Sequence, residues 1–123
     1  MSSMSVLIVE DDEWLAEQQS RVLRAAGYSP KIALHALAAI QMIDDSRPDA
    51  IILDVLLTGG TAFPLLYELQ SYTDTGNIPI ILCTNLASEL SIDELTPYGV
   101  NQIIDKTIMN PNDIVVALGA VLR

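Results

Sequence analysis

The chain has 123 residues, a length typical of one domain, and half of them are apolar, which is enough for one sizeable core. Six basic against sixteen acidic residues give a formal net charge of -10, which repels phosphates and anionic lipids and argues against direct nucleic-acid or membrane binding. Short apolar runs, the lack of a signal-peptide pattern and a single cysteine favour a cytoplasmic location.

Short runs of Val, Ile and Leu alternate with longer stretches whose apolar residues recur at helical spacing. This alternation indicates repeated β-α units around a parallel sheet, so an α/β fold is predicted. Five units fit in one domain covering residues 1–123, with residues 1–4 expected to be disordered. The first strand is predicted at Ser5–Val9 with a helix over 12–26, and the second strand at Ser29–Ala33 with a helix over 34–45.

The third predicted strand, residues 50–54, is apolar without alternation, as in a strand covered on both faces. Gly59 and Gly60 mark a loop after it, and Pro64 fits the first turn of the next helix. In the last helix, Asn110 is predicted as the N-cap and Pro111 as the first helical residue. The remaining predicted elements are a helix over 62–71, a strand over 79–84, a helix within 85–98 and a strand over 100–104.

Polar side chains directly follow four of the predicted strands. In an open α/β sheet, ligands bind outside the carboxyl ends of the strands, so these residues are the candidates for chemistry. They are Glu10, Asp11 and Asp12 after the first strand, Asp54 after the third, Thr84 and Asn85 after the fourth, and Asp105 and Lys106 after the fifth.

Carboxylates that converge at one crevice repel each other unless a cation neutralises them, and hard oxygen ligands suit Mg2+ (or Mn2+). Asp11 and Asp54 fit direct metal ligands, with Glu10 acting through water. A phosphoryl group on Asp54 would need cations and hydrogen-bond donors at its oxygens, and Lys106 and Thr84 are residues of the right type.

Other interpretations of single residues remain open. Asp12 is more simply an acid at the start of a helix, and Glu10 and Asp11 could share that role. Asp54 alone could be a turn residue, and Thr84 alone is common in strands. Cys83 fits a small buried residue, and His35 is given no role.

Four motifs stand in order along the chain: Val6-Leu-Ile-Val-Glu-Asp-Asp12, Ile51-Ile-Leu-Asp54, Pro79-Ile-Ile-Leu-Cys-Thr84 and Asp105-Lys106. This ordered set resembles the receiver domain of two-component response regulators over essentially the whole chain. The resemblance implies a flavodoxin-like (βα)5 doubly wound sandwich, with a five-stranded parallel sheet of order 2-1-3-4-5 and helices on both faces. It also implies that Asp54 is the phosphoacceptor, that Glu10 and Asp11 are the acidic pair, and that the Leu56 backbone carbonyl is a further metal ligand. Thr84 and Lys106 would contact the phosphoryl oxygens.

The sequence departs from the family pattern at several positions. Thr107 stands where the family has a proline in a cis bond, so the loop is either trans and rearranged or strained, because a non-proline cis bond costs about 2.5–4 kcal/mol. Ile103 replaces the aromatic residue whose rotation reports phosphorylation. Leu56 and Leu86 place apolar side chains where water would approach an aspartyl phosphate, which predicts slow self-dephosphorylation. Asn85, Thr58 and Ala62 replace other usual residues near the site.

The leading hypothesis is a phosphoacceptor switch that takes a phosphoryl group from a histidine kinase or phosphotransfer protein. We expect no output domain in this chain, so a downstream protein effector would receive the signal, and phosphorylation could be linked to a dimer. The chain is not expected to be an enzyme beyond catalysing its own phosphorylation and dephosphorylation. The alternative is a pseudo-receiver that binds a partner without regulated phosphorylation, which Thr107, Ile103 and Asn85 favour. A dehalogenase-type phosphatase is excluded because Leu56 stands where its second aspartate is required.

Overall fold

A computed structural model describes residues 3–57 and 60–122 of the chain. Seven strands are present in these residues, and the five longer ones lie within one residue of their predicted bounds. The strands are β1 (Ser5–Val9), β2 (Ser29–Ala33), β3 (Ala50–Leu53), β4 (Leu56–Leu57), β5 (Gly60–Thr61), β6 (Ile80–Thr84) and β7 (Val100–Asp105).

Helices follow the strands as predicted, with differences at their ends. Asp12 is the N-cap of the first helix, where its carboxylate accepts a hydrogen bond from the Leu15 N–H at 3.1 Å. His35 caps the second helix, because its Nδ1 accepts from the Ala38 N–H at 3.1 Å. The helices are α1 (Glu13–Ala25), α2 (Ala36–Asp45), α3 (Phe63–Gln70), α4 (Ile92–Leu95) and α5 (Asp113–Val121).

The main sheet has the order β2-β1-β3-β6-β7, and all neighbouring strands are parallel. This confirms the predicted order 2-1-3-4-5 and the flavodoxin-like fold. Alternate residues of the strands face two apolar clusters, one with α1 and α5 and the other with α2 and α3. Helices therefore cover both faces, and the carboxyl ends of the central strands meet at one edge.

The start of α5 corrects the prediction for Asn110. The Asp113 N–H donates to the Asn110 carbonyl at 2.9 Å, and the Asn110 N–H donates to the Asp113 carboxylate at 2.8 Å. Residues 110–113 thus form a turn with Pro111 at its second position, where proline is favoured. The helix begins at Asp113, so Asn110 as its N-cap and Pro111 as its first residue were wrong.

The region after β6 is helical in three short pieces. Two single 3-10 turns, Ala87–Glu89 and Thr96–Tyr98, flank the four-residue helix α4. Pro97 lies in the second turn, and Gly99 ends it with a left-handed φ of 87°. The predicted helix within 85–98 is therefore divided.

Two sequence predictions fall partly outside the described residues. The disorder predicted for residues 1–4 includes Met1 and Ser2, which are outside, while Ser3 and Met4 have no regular secondary structure. The loop predicted around Gly59 includes Thr58 and Gly59, also outside, and Gly60 belongs to β5. Within the part of the chain that the structure describes, no helix combines the length and apolarity needed to cross a membrane.

Candidate functional site

An open cavity of about 550 Å3 lies at the carboxyl ends of the sheet strands. Glu10 directly follows β1, Asp54 follows β3 and Lys106 follows β7, so the strand order itself brings these side chains to one place. The lining residues are Glu10, Asp11, Asp12, Leu15, Asp54, Leu56, Leu57, Asn85, Lys106, Met109 and Pro111.

Lys106 connects the two buried acids of this cavity. Its Nζ lies 2.6 Å from Glu10 Oε2 and 2.7 Å from Asp54 Oδ2. The other oxygen of each carboxylate accepts a backbone hydrogen bond, Glu10 Oε1 from the Asp12 N–H and Asp54 Oδ1 from the Leu56 N–H, each at 3.2 Å. Both carboxylates are therefore held from two sides, which fixes their orientation toward the cavity.

Burial and ion pairing shift the pKa values of Glu10 and Lys106. Burial raises the pKa of Glu10 and outweighs the hydrogen bond and charge of Lys106, which lower it. For Lys106, burial alone lowers the pKa, but the hydrogen bonds and charges of Asp54 and Glu10 together raise it above its ordinary value. The lysine thus stays charged and serves as the counter-ion of two buried acids.

Asp11 adds a third acidic group beside this pair. One carboxylate oxygen from each of Glu10, Asp11 and Asp54 lies within 4.8 Å of the other two. Hard oxygen ligands at this spacing fit a divalent cation of the Mg2+ type. The sequence prediction that these three acids converge is confirmed by this geometry.

Thr84, the last residue of β6, and Asn85, which follows it, occupy different environments. Thr84 is fully buried, and its hydroxyl oxygen accepts a hydrogen bond from the Leu86 N–H at 3.1 Å. Its carbonyl accepts from the Lys106 N–H at 3.0 Å, which joins β6 to the lysine backbone. Asn85 lines the cavity whereas Thr84 does not, so a Thr84 contact to a phosphoryl group stays a prediction.

The residue after the lysine adopts a different local structure from a cis-proline loop. Peptide bonds throughout residues 3–57 and 60–122 are trans, including Lys106–Thr107, which decides between the two predicted forms of this loop. The Thr107 hydroxyl and N–H both donate to Asp105 Oδ1, at 2.6 and 2.9 Å. These two bonds lower the pKa of Asp105. Asp105 and Thr107 therefore close a local turn around Lys106 that a proline could not form.

Two residues singled out in the sequence lie beside the site without lining it. Cys83 is buried, as predicted, and burial raises the pKa of its thiol to about 12, which makes it a poor nucleophile. Ile103 packs against the core cluster of α2 and α3. Four lining residues were not among the candidates from the sequence, although Leu15 lies one helical turn after Asp12. They are Leu15, Leu57, Met109 and Pro111.

The family model for the response regulator receiver domain matches residues 6–119. The transcriptional regulatory protein BaeR of Escherichia coli is 32% identical over 120 residues, which are 96% of this chain but 48% of BaeR. Curated relatives such as BaeR align with 96% or more of this chain, and the chain spans about half of their length.

Solved structures agree in fold. A putative response regulator from Chloroflexus aurantiacus has a TM-score of 0.83 at 31% identity, with 98% of each chain covered. The response regulator TrrA of Thermotoga maritima, solved in complex with Mg2+ and beryllium fluoride, has a TM-score of 0.81 at 19% identity, with 96% of this chain and 98% of that chain covered. The family match over residues 6–119, on a fold with this strand order, shows that the chain belongs to the receiver domain family of response regulators.

Proposed function

We propose that the chain is a signalling switch in which Asp54 accepts a phosphoryl group from a histidine kinase or phosphotransfer protein. The observation that carries this proposal is the pairing of Lys106 with both Glu10 and Asp54, with Asp11 close enough to complete an acidic group. A nucleophilic carboxylate and a lysine cation that line an open cavity are groups that phosphoryl acceptance requires.

The transfer can be written with the groups of this chain. An oxygen of the Asp54 carboxylate attacks phosphorus, the new O–P bond forms as the donor P–N bond breaks, and the donor nitrogen regains a proton. Lys106 then moves from the carboxylates to the transferred oxygens, where its charge offsets the added negative charge.

The residues that would hold Mg2+ are Asp11, Asp54 and the Leu56 carbonyl directly, and Glu10 through water. When bound, the ion supplies positive charge near the transferred oxygens. The acidic group of this chain supports that assignment, as does the Mg2+ bound by the TrrA receiver fold.

The proposed output is a contact with a protein effector in the cytoplasm, with a phosphorylation-linked dimer as one form it can take. BaeR, which matches 96% of this chain, is a transcriptional regulatory protein about twice its length. The net charge of -10 speaks against DNA contact by these 123 residues themselves. A kinase and a protein effector are therefore the proposed partners.

Beryllium fluoride with Mg2+ separates the switch from a pseudo-receiver. Trp14, the single tryptophan, is exposed at the start of α1, two residues after Asp12, and can report binding by fluorescence. We expect a saturable change that needs both Mg2+ and beryllium fluoride and that EDTA reverses. Asp54→Ala should show no such change, whereas Asp45→Asn, at an exposed acid of α2, should respond like the wild type. An identical response of wild type and Asp54→Ala would support the pseudo-receiver.

Leu56 is expected to slow loss of the phosphoryl group. Its side chain lines the cavity and is 47% exposed, so it covers the path of water toward Asp54, whereas Leu86 packs against the core. Replacing Leu56 by Asn should speed dephosphorylation about tenfold, which corresponds to about 1.4 kcal/mol of barrier. The decay of phosphoprotein measures this, with Leu37→Asn, an exposed leucine of α2, as control. Equal decay rates for wild type and Leu56→Asn would contradict the assignment.

A further inference from the structure

A second open groove, of about 340 Å3, lies between α3 and the helical segment 87–98. It shares no lining residue with the cavity around Asp54. Its walls combine aromatic, aliphatic and acidic side chains. The lining residues are Phe63, Tyr67, Glu89, Leu90, Ser91, Glu94, Leu95 and Tyr98.

Two tyrosines form the aromatic wall of the groove. The ring centroids of Tyr67 and Tyr98 are 5.1 Å apart with an interplanar angle of 59°. Tyr98 packs partly against the core, whereas Tyr67 is 51% exposed. Because the two rings contact each other, their conformational freedom is already restricted. A ligand that binds this exposed aromatic surface therefore costs the rings little further conformational entropy.

The groove also carries a concentrated negative charge. Glu89 and Glu94 are exposed and line it directly. Neither α3 nor the segment 87–98 contains a lysine or arginine, so no basic side chain of these two elements offsets the charge of the glutamates. A wholly apolar occupant would desolvate the two glutamates without compensation, and an acidic occupant would be repelled.

We propose that this groove binds a basic segment of a partner protein, with one arginine or lysine side chain against the tyrosine rings. The cation would interact with the ring faces, which attract cations within about 6 Å, and its charge would face Glu89 and Glu94. Apolar residues beside the cation would contact Phe63 and Leu90. This interaction does not require phosphorylation of Asp54.

The test uses the full chain and a short capped peptide with a central arginine flanked by leucines, titrated in amide NMR spectra. Peptides with glutamate or leucine in place of the arginine serve as probes of the charge. We expect saturable shift changes confined to residues near 63–67 and 87–98, weaker at high salt because the charges are exposed. The glutamate and leucine peptides should bind at least about fivefold more weakly.

Substitutions within and outside the groove test whether the peptide binds there. Tyr67→Leu and the double change Glu89→Gln with Glu94→Gln should each weaken arginine-peptide binding about threefold to tenfold. Tyr72→Leu and Glu68→Gln alter an exposed tyrosine and an exposed glutamate outside the groove and should bind as the wild type does. Dispersed spectra of every variant verify folding. Equal binding of the three peptides, shifts elsewhere on the surface, or no binding at millimolar peptide would overturn the proposal.

Discussion

Replacing Lys106 by Met is expected to lower the free energy of unfolding of the metal-free protein by about 3 kcal/mol. This is the lower end of the range for a broken buried ion pair, because the cavity is open. Lys106 is the counter-ion of both Glu10 and Asp54, at 2.6 and 2.7 Å. Without its charge, two buried carboxylates face each other without the cation that pairs with both of them.

The loss of stability in Lys106→Met should depend on pH because Glu10 titrates differently in the folded and the unfolded protein. Burial raises the pKa of Glu10, so the folded protein binds the Glu10 proton more tightly than the unfolded chain does. The stability that this proton contributes is fully present below the unfolded-state pKa of Glu10 and is lost as pH rises through its folded-state pKa. Removing the lysine charge raises that pKa further. The stability difference between Lys106→Met and wild type should therefore be larger at about pH 7 than at about pH 5.

The same substitution should increase the affinity for Mg2+ about tenfold, because the lysine no longer competes for the carboxylate oxygens. Phosphorylation should fall nonetheless, because Lys106 is the one basic residue among the described residues that line the cavity, and its charge would no longer offset that of the transferred oxygens. Urea unfolding in EDTA, Mg2+ titration of Trp14 fluorescence and phosphoryl incorporation measure the three effects.

Two lysine substitutions act as controls for this prediction. Lys106→Arg keeps the positive charge and should lose less stability than Lys106→Met. Lys31→Met changes an exposed lysine of β2 and should leave all three measurements near wild type. If Lys106→Met unfolds in EDTA at the same urea concentration as wild type, the lysine does not stabilise the protein as the counter-ion of Glu10 and Asp54.

The sequence predicted the sheet and the acidic group because both depend on local patterns. Uninterrupted apolar runs such as 50–53 specify strands covered on both faces, and the polar residue after each run must then lie at the sheet edge. Glu10, Asp54 and Lys106 converge for this reason. Their convergence depends only on where each strand ends and not on the path of the loops.

Details that depend on contacts between distant residues could not be predicted in this way. Whether Lys106 faces solvent or pairs with Glu10, 96 residues away, depends on tertiary packing. The start of α5 depends on the Asp113 carboxylate turning back to the Asn110 N–H, which competes with the expected cap. The turn at Asp105 and Thr107 has the same origin, a side chain bonding to nearby backbone.

Asp54 is the proposed phosphoacceptor, and its substitution should have the largest effect on phosphorylation. Its carboxylate is the nucleophile in the proposed transfer, and an amide in its place cannot form the aspartyl phosphate. Asp54→Asn should therefore reduce phosphoryl incorporation to background. Asp45→Asn, at an exposed acid of α2, should leave incorporation at the wild-type level.

The most direct measurement is intact-protein mass after incubation with a small phosphodonor and Mg2+. We expect the wild-type chain and Asp45→Asn each to gain one phosphoryl group and EDTA to prevent the gain. Peptide mapping should place the group on Asp54. A wild-type chain that gains none, or an Asp54→Asn chain that gains as much as the wild type, would contradict the account.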